Sequence, residues 1–394
     1  MVRLRSLVIL GVLLFAGQPS ARAAPAGTSD WPSLNADAAQ SNYNAAEKTI
    51  TSKNVLKVKV RWAASIPDVS YPVVANGRVY LPVISHGKVH VRAVNAVTGK
   101  QVSVYPKDAL GGIVFNNGNL YLAGHIVQEV DPSTGNKLAQ ISAKPSVSGG
   151  SFLYPVTDNK LLVAGYAGLH PSAANALYAI DPQTNKVLWK LQSSSAESTL
   201  GTGRILTQTA RGTELYDETS GRGVALRPNV YSDWFAGSLL AYCVAAIGRG
   251  KATLYAVDGT GRIIWKRAIG PSVINPHWPH AVSPTAVYVQ TLTPGEGVQS
   301  LDPQSGTILW TRSIPNVQRL AEANGVLFVL SYGLGQQVRL VALHAGSGAP
   351  IGAILLSPGY QFFNALNGLM VASGMVFLRA VSPHGATQLI ALGL

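Results

Sequence analysis

The chain has 394 residues, of which 47% are hydrophobic and 12% are charged, and its formal net charge is +13. This composition excludes a disordered chain, because it provides enough apolar surface for a large core. The positive charge favours anionic neighbours such as cell-wall polymers or lipid headgroups. A nucleic-acid partner is not expected, because no basic run with interleaved aromatic residues occurs.

The first 23 residues have the features of a secretory signal. Arg3 and Arg5 precede an apolar stretch at 6–17, and residues 21–23 form a small-x-small cleavage site. The stretch is shorter than the roughly 20 residues of a bilayer-spanning helix. We therefore expect an exported protein, periplasmic or extracellular, with no transmembrane span after cleavage. An uncleaved anchor is the alternative.

Cys243 is the only cysteine, so an internal disulfide is excluded and the core must supply the stability. It lies in the apolar run 239–247 (LLAYCVAAI), which is typical of a buried core residue. No cysteine follows the signal region, and the sequence therefore lacks the feature that a lipoprotein requires.

One pattern recurs along the chain: an alternating apolar run, a turn of the Asp-x-x-Thr-Gly type and a second apolar run. The clearest copies are 177–189 (LYAIDPQTNKVLW), 254–265 (LYAVDGTGRIIW) and 298–310 (VQSLDPQSGTILW), and weaker copies begin at Val91, Val127, Thr213 and Arg339. Alternation with period two around Asp and Gly predicts a β-hairpin with one buried face.

A further strand precedes each hairpin. The first is 75–83 (ANGRVYLPV), and the others centre on Leu120, Leu161, Ile205, Leu240, Val287, Leu327 and Val376. A period of about 40 to 45 residues with four strands is typical of a β-propeller blade. These eight strands predict eight blades.

The eighth hairpin is split between the two ends of the chain. The sequence ends on 388–394 (QLIALGL), the first half of a hairpin, while 54–62 (NVLKVKVRW) reads as a return strand without a partner. Pairing them would close the ring and remove free sheet edges. We predict an all-β, eight-bladed β-propeller of four-stranded antiparallel blades at 55–394, after an arm at 24–54. An open array of repeats is the alternative.

Tryptophans recur on the return strands. They are Trp62, Trp189, Trp265 and Trp310, and the last three each lie four residues after a turn residue. We predict that these rings dock onto the neighbouring blade, because an aromatic ring at a fixed offset buries a large area. Stacking on a ligand is the alternative.

The pattern Ala-x-Asp-x-x-Thr-Gly-x-x-x-Trp resembles the tryptophan-docking repeat of pyrroloquinoline-quinone-type propellers. Ala179, Asp181 and Trp189 match it, and Asp258 and Trp265 match it again. Segments 30–44 (DWPSLNADAAQSNYN), 54–62 and 70–83 are similar to the opening segment of the same family. The resemblance covers essentially the whole chain after the signal.

The resemblance implies one of two branches. The quinoprotein dehydrogenases bind the quinone and calcium near the axis of eight blades, whereas the non-catalytic propellers include the lipoprotein that assists outer-membrane β-barrel assembly. Chain length favours the second branch, because the dehydrogenases carry longer insertions. A calcium site also needs several converging oxygen ligands, whereas the turns use Asp131, Asp181, Asp217, Asp258 and Asp302. The missing lipid-anchoring cysteine prevents a direct transfer of the assembly role.

Histidines mark a candidate binding face. His86, His125, His170 and His384 fall in predicted loops between second and third strands, and His277, Trp278 and His280 fall in a predicted connection between blades on the same side. A metal or pH-sensing site is one interpretation, because histidine is a common metal ligand. Scattered loop histidines are the other, and the segment around Trp278 could equally plug the channel.

These patterns favour an exported, non-catalytic scaffold that binds a protein or a cell-envelope polymer through loops. They identify no catalytic, metal or cofactor residue. The alternative is an enzyme: a short dehydrogenase that uses pyrroloquinoline quinone with calcium, or another activity on the histidine-bearing face.

Overall fold

The computed structural model describes twenty-two segments of the chain. They are residues 29–37, 39–66, 71–85, 88–105, 112–123, 127–141, 151–155, 161–165, 175–181, 183–184, 186–193, 199–201, 204–209, 212–217, 220–225, 233–237, 240–246, 251–271, 279–292, 296–333, 337–362 and 368–394. The predicted signal at 1–23 lies outside them, as do His86, His125, His170, His277 and Trp278.

The described residues are almost entirely β-strand. The chain opens with β1 (Tyr43–Asn44), one 3₁₀ turn (Val55–Lys57) and β2 (Lys59–Ser65). The next strands are β3 (Val73–Ala75), β4 (Arg78–Ser85), β5 (Lys88–Asn95), β6 (Gln101–Tyr105), β7 (Gly112–Asn116), β8 (Asn119–Ala123), β9 (Val127–Val130), β10 (Lys137–Ile141), β11 (Ser151–Pro155), β12 (Leu161–Gly165), β13 (Asn175–Asp181), β14 (Lys186–Ser193), β15 (Thr199–Gly201), β16 (Arg204–Thr209), β17 (Gly212–Asp217) and β18 (Gly223–Ala225).

The second half of the chain continues in the same way. Its strands are β19 (Asp233–Ala236), β20 (Ala241–Ala246), β21 (Lys251–Val257), β22 (Ile263–Pro271), β23 (His280–Ser283), β24 (Ala286–Thr291), β25 (Gly297–Leu301), β26 (Ile308–Ser313), β27 (Val317–Ala323), β28 (Val326–Tyr332), β29 (Val338–His344), β30 (Pro350–Leu355), β31 (Gln361–Phe362), β32 (Leu369–Ala372), β33 (Met375–Val381) and β34 (Thr387–Gly393). No helix within the described segments is long and apolar enough to cross a membrane.

The strands form eight sheets among the described residues, and their pairs are antiparallel except for β1 with β27. The first to seventh sheets each take four consecutive strands, from β3–β6 to β27–β30, and adjacent strands in sequence pair with each other. The eighth sheet contains β31 to β34 together with β2. This confirms the prediction of an all-β protein built from four-stranded antiparallel units.

The predicted split hairpin is present in the eighth sheet. Lys59 pairs with Gly393 and Ser65 pairs with Gln388, so β2 lies antiparallel to β34 across more than three hundred residues of sequence. The seven other predicted hairpins form as the third and fourth strands of the first seven sheets. The sequence placed both halves of each hairpin correctly, because alternation and turn residues coincide there.

The hairpin turns follow from their residues. In the sixth sheet Asp302 accepts hydrogen bonds on Oδ1 from the backbone N–H groups of Gln304 (3.0 Å) and Ser305 (2.8 Å). Gly306 then adopts a φ of +67°, which glycine tolerates and side chains with a Cβ disfavour. The acidic residue is therefore used within the turn, as the sequence indicated.

Each sheet packs against its neighbour in chain order. Contacts join β3 with β7, β7 with β11, β14 with β16, β15 with β19, β22 with β24, β23 with β27 and β27 with β32. The eighth sheet reaches the first through Trp62, whose Nε1–H donates to the carbonyl oxygen of Ala96 (3.0 Å). Cys243 is fully buried between sheets, in a cluster with Leu206, Leu215 and Ala236.

Candidate functional site: the N-terminal arm over the first strands

Within the described part of the arm, residues 29–37 and 39–50 lie against the first strands of six sheets. Its backbone exchanges hydrogen bonds with strand ends at Val74 in the first sheet, Phe115 in the second, Ala236 in the fifth, Val282 in the sixth, Glu322 in the seventh and Ser373 in the eighth, all between 2.7 and 2.9 Å. In the seventh sheet β1 even adds a parallel strand beside β27. The arm is thus held by backbone hydrogen bonds to six of the eight sheets.

The arm follows this path because polar residues bend it. Asn35, Gln40 and Asn42 all have φ between 51° and 55°, a left-handed conformation that asparagine adopts more readily than most residues. Asp37 closes the bend by accepting hydrogen bonds from the Ser41 backbone N–H (2.9 Å) and hydroxyl (2.6 Å). Burial raises the pKa of the Asp37 carboxyl, although these hydrogen bonds oppose the rise.

His280 lies beneath the arm. The sequence placed it in a connection between blades, but the structure makes it the first residue of β23 and leaves only 6% of it exposed. Its Nε2 is 2.8 Å from the Gln40 carbonyl oxygen, to which it donates, and its ring stacks on Phe235 with centroids 3.9 Å apart. The amide of Asn42 donates to the His280 carbonyl (3.1 Å). The imidazole therefore anchors the arm instead of facing solvent.

Glu47 ties the end of the arm to the eighth sheet. Its side chain is fully buried and accepts hydrogen bonds from the Ser29 hydroxyl (2.6 Å) and from the backbone N–H groups of Gly374 (2.9 Å) and Thr49 (2.7 Å). Burial, the largest effect, raises the pKa of this carboxyl, but the hydrogen bonds together hold the pKa below its ordinary value. Glu47 is thus a satisfied buried carboxylate.

Glu322 on β27 is the opposite case. It is 4% exposed and accepts one backbone hydrogen bond, from Gly325 (3.0 Å). Burial is the main cause that raises the pKa of Glu322 to about 7, with Gly325 and Lys48 acting in the other direction. Burial and the nearby Glu322 charge also raise the pKa of Tyr43 and of Tyr288. This group is a buried acid poised to change charge near neutral pH.

Of the predicted histidine face, the structure describes two members. His384 is exposed in the turn between β33 and β34, whereas His280 is buried under the arm. Within the described segments no three histidine, cysteine, aspartate or glutamate side chains are grouped as metal ligands would be. The sequence missed the polar network under the arm, because its members are far apart in the chain and follow no period.

The tryptophans lie where one sheet meets the next. Trp265 donates from Nε1 to the Pro303 carbonyl (2.9 Å), and Trp310 donates to the Ala345 carbonyl (2.9 Å). The rings of Trp62, Trp189, Trp265 and Trp310 cover the turn glycines Gly99, Gly221, Gly306 and Gly348 of the following sheet. Aromatic rings in this position bury a large area between two sheets.

Tyr105 occupies the same kind of site without being a tryptophan. It is fully buried, its ring covers Gly135, and its hydroxyl donates to the Pro132 carbonyl in the second sheet. Sequence reasoning missed it because Ser103 stands at the usual tryptophan position. The signal was the aromatic residue two positions further along the same strand face.

Comparisons with known proteins agree with this architecture. Quinohemoprotein alcohol dehydrogenase ADHIIG from Pseudomonas putida HK5 is 12% identical with a TM-score of 0.64, over 93% of this chain and 80% of that one. A europium-containing methanol dehydrogenase is 12% identical with a TM-score of 0.61, over 93% and 98%. BamB from Moraxella catarrhalis is 11% identical with a TM-score of 0.54, over 86% and 100%. At these identities the likeness shows the fold alone, a PQQ-like β-propeller.

A comparison with curated protein sequences finds no match. The family model described as "Outer membrane protein assembly factor BamB" matches residues 123–229 and 237–391, which together are more than half of the chain. The resemblance to PQQ-like repeats predicted from the hairpin pattern is thereby confirmed, and the chain belongs to the family of the outer membrane protein assembly factor BamB.

Proposed function

We propose that this protein is an exported, non-catalytic scaffold that binds other proteins in assembly work at the cell envelope. The signal would be residues 1–23, the arm 24–54 and the propeller 55–394. The observation that carries the proposal is that polar side chains at the first strands are already bonded to the arm. His280, Glu47 and Asn42 hold the arm in place, and a substrate would have to displace it.

An eight-bladed closed ring belongs to the same proposal. The contacts between successive sheets support it, as does the pairing of β2 with β34. The arm binds at the ends of the first strands that lead into the turns before the second strands. In an antiparallel meander the turns between second and third strands lie at the opposite end. We therefore assign the contact face to the end of the ring away from the arm.

A crosslinking experiment tests the face. His384 lies in a turn between second and third strands, and Gln304 lies in a turn between third and fourth strands; both are exposed. With a photoreactive amino acid at each position in turn, we expect protein crosslinks in envelope preparations from position 384 and none from position 304. Crosslinks from position 304 alone would place the contact surface at the arm end and contradict the assignment.

The second candidate is a quinoprotein dehydrogenase, favoured by the fold shared with the alcohol and methanol dehydrogenases. Titration with pyrroloquinoline quinone and calcium separates the two candidates. We expect no stoichiometric binding and no dye-linked oxidation of alcohols or sugars. Tight binding accompanied by dye reduction would overturn the scaffold proposal.

A further inference from the structure

A cleft of about 630 Å³ lies at the seam where the eighth sheet meets the first. One wall is β2 at Ala63 to Ile66 with Thr387 of β34, and the other is formed by Val83, Arg92 and Val94 of the first sheet. Gly99 and Gln101 lie at its edge. The volume falls within the roughly 300–1,000 Å³ that small-molecule sites occupy.

The cleft exists because a large side chain is missing at this seam. In the fifth and sixth sheets the residue two positions after the docking tryptophan is an arginine. Arg267 donates from Nε to the Gly306 carbonyl (2.6 Å), and Arg312 donates to the Gly348 carbonyl (2.9 Å). The same position after Trp62 is Ala64, so the space beside Gly99 stays open.

The opposite wall supplies a cation instead. Arg92 is the one charged side chain among the residues that line the cleft, and no described acidic residue lines it. Its Nε is buried without a hydrogen-bond partner among the described residues, in contrast with Arg267 and Arg312. Burying a donor of a charged group without an acceptor costs free energy, and native structures normally provide an acceptor. Arg92 lines the cleft, and a ligand there would meet the terminal nitrogens of its guanidinium rather than the buried Nε.

We propose that the seam cleft binds a small carboxylate with a short apolar body. The planar guanidinium of Arg92 matches a carboxylate with two parallel hydrogen bonds. Ala64, Ile66, Val83 and Val94 provide the apolar wall for the rest of the molecule. This site goes beyond the proposed scaffold function and does not depend on it.

Calorimetric titration of the full chain tests the proposal, with octanoate as the probe and octanamide as its uncharged match. We expect saturable binding of octanoate, weaker binding of octanamide, and a loss of at least about tenfold in octanoate affinity in Arg92→Met. Arg222→Met is the matched control, because Arg222 is exposed in the turn of the fourth sheet; it should bind octanoate like the parent protein.

A second variant tests the proposal independently, in case Arg92→Met does not fold. Ala64→Arg introduces the arginine that the fifth and sixth sheets carry, which should fill the cleft and bond the Gly99 carbonyl. We expect it to lose octanoate binding while keeping the parent melting temperature. The proposal is overturned if octanoate gives no saturable heat at millimolar concentration, if octanamide binds equally well, or if folded Arg92→Met or Ala64→Arg keeps the parent affinity.

Discussion

Replacing Gly306 by alanine is expected to destabilise the protein more than the same change at Gly325. Both glycines have left-handed backbone, with φ of +67° and +72°, so an alanine at either position costs about 1–2 kcal/mol in conformational strain. A Cβ at Gly306 would also lie 2.6 Å from the ring of Trp265, whereas a Cβ at Gly325 would meet nothing within 4 Å. The collision adds about 1–3 kcal/mol at Gly306 only.

Guanidinium denaturation midpoints of the two variants measure this difference. The double variant Gly306→Ala with Trp265→Ala sharpens the test, because removing the ring removes the collision. Trp265→Ala alone should cost about 3–5 kcal/mol, and the double variant should cost less than the sum of the single changes. If Gly306→Ala were no less stable than Gly325→Ala, or if the two changes were additive, the tryptophan would not be closely seated on the turn.

The repeated turn is the part of the molecule that the sequence predicts best. The residues that form it lie within nine positions of one another, from Asp302 through Gly306 to Trp310. Local chemistry therefore predicts the hairpin, and the repeat of the pattern predicts the sheet. Trp265 is also predictable, because it follows the glycine of its own turn by four residues, as Trp310 does.

The arm and its buried network could not be predicted in this way. His280 donates a hydrogen bond to the Gln40 carbonyl across 240 residues of sequence. No pattern in the sequence near either residue predicts this contact. Asn35, Gln40 and Asn42 bend the chain through left-handed conformations, which have no period to detect. The seam cleft is an intermediate case, since aligning the repeats shows Ala64 in place of an arginine but does not show Arg92 across from it.

Glu322→Gln is expected to stabilise the protein at alkaline pH. The pKa of Glu322 in the folded protein, about 7, lies above its ordinary value of 4.5, chiefly because of burial. A carboxyl whose pKa rises on folding contributes its full stability below pH 4.5, and that contribution is lost as the pH rises through 7. The difference between the two values corresponds to roughly 3 kcal/mol.

The variant should therefore match the parent protein near pH 4.5 and exceed its stability by up to about 3 kcal/mol above pH 8. Glutamine stays neutral over this range and keeps a carbonyl oxygen that can accept the Gly325 N–H bond. Melting temperatures of both proteins from pH 4.5 to 9 provide the measurement, and the difference between variant and parent removes the contribution of all other titrating groups.

Glu47→Gln is the matched control, because Glu47 is equally buried but its pKa is held below the ordinary value by hydrogen bonds from Ser29, Gly374 and Thr49. A carboxylate of this kind contributes stability above its unfolded pKa and loses that stability as the pH falls through the folded pKa. Glu47→Gln should therefore be less stable than the parent protein at neutral and alkaline pH, and the two should converge in acid. The pKa of Glu322 is raised by burial, and the pKa of Glu47 is lowered by its hydrogen bonds. Opposite responses of the two variants would therefore locate the pH dependence in the contacts that hold the arm, and a parallel response would refute it.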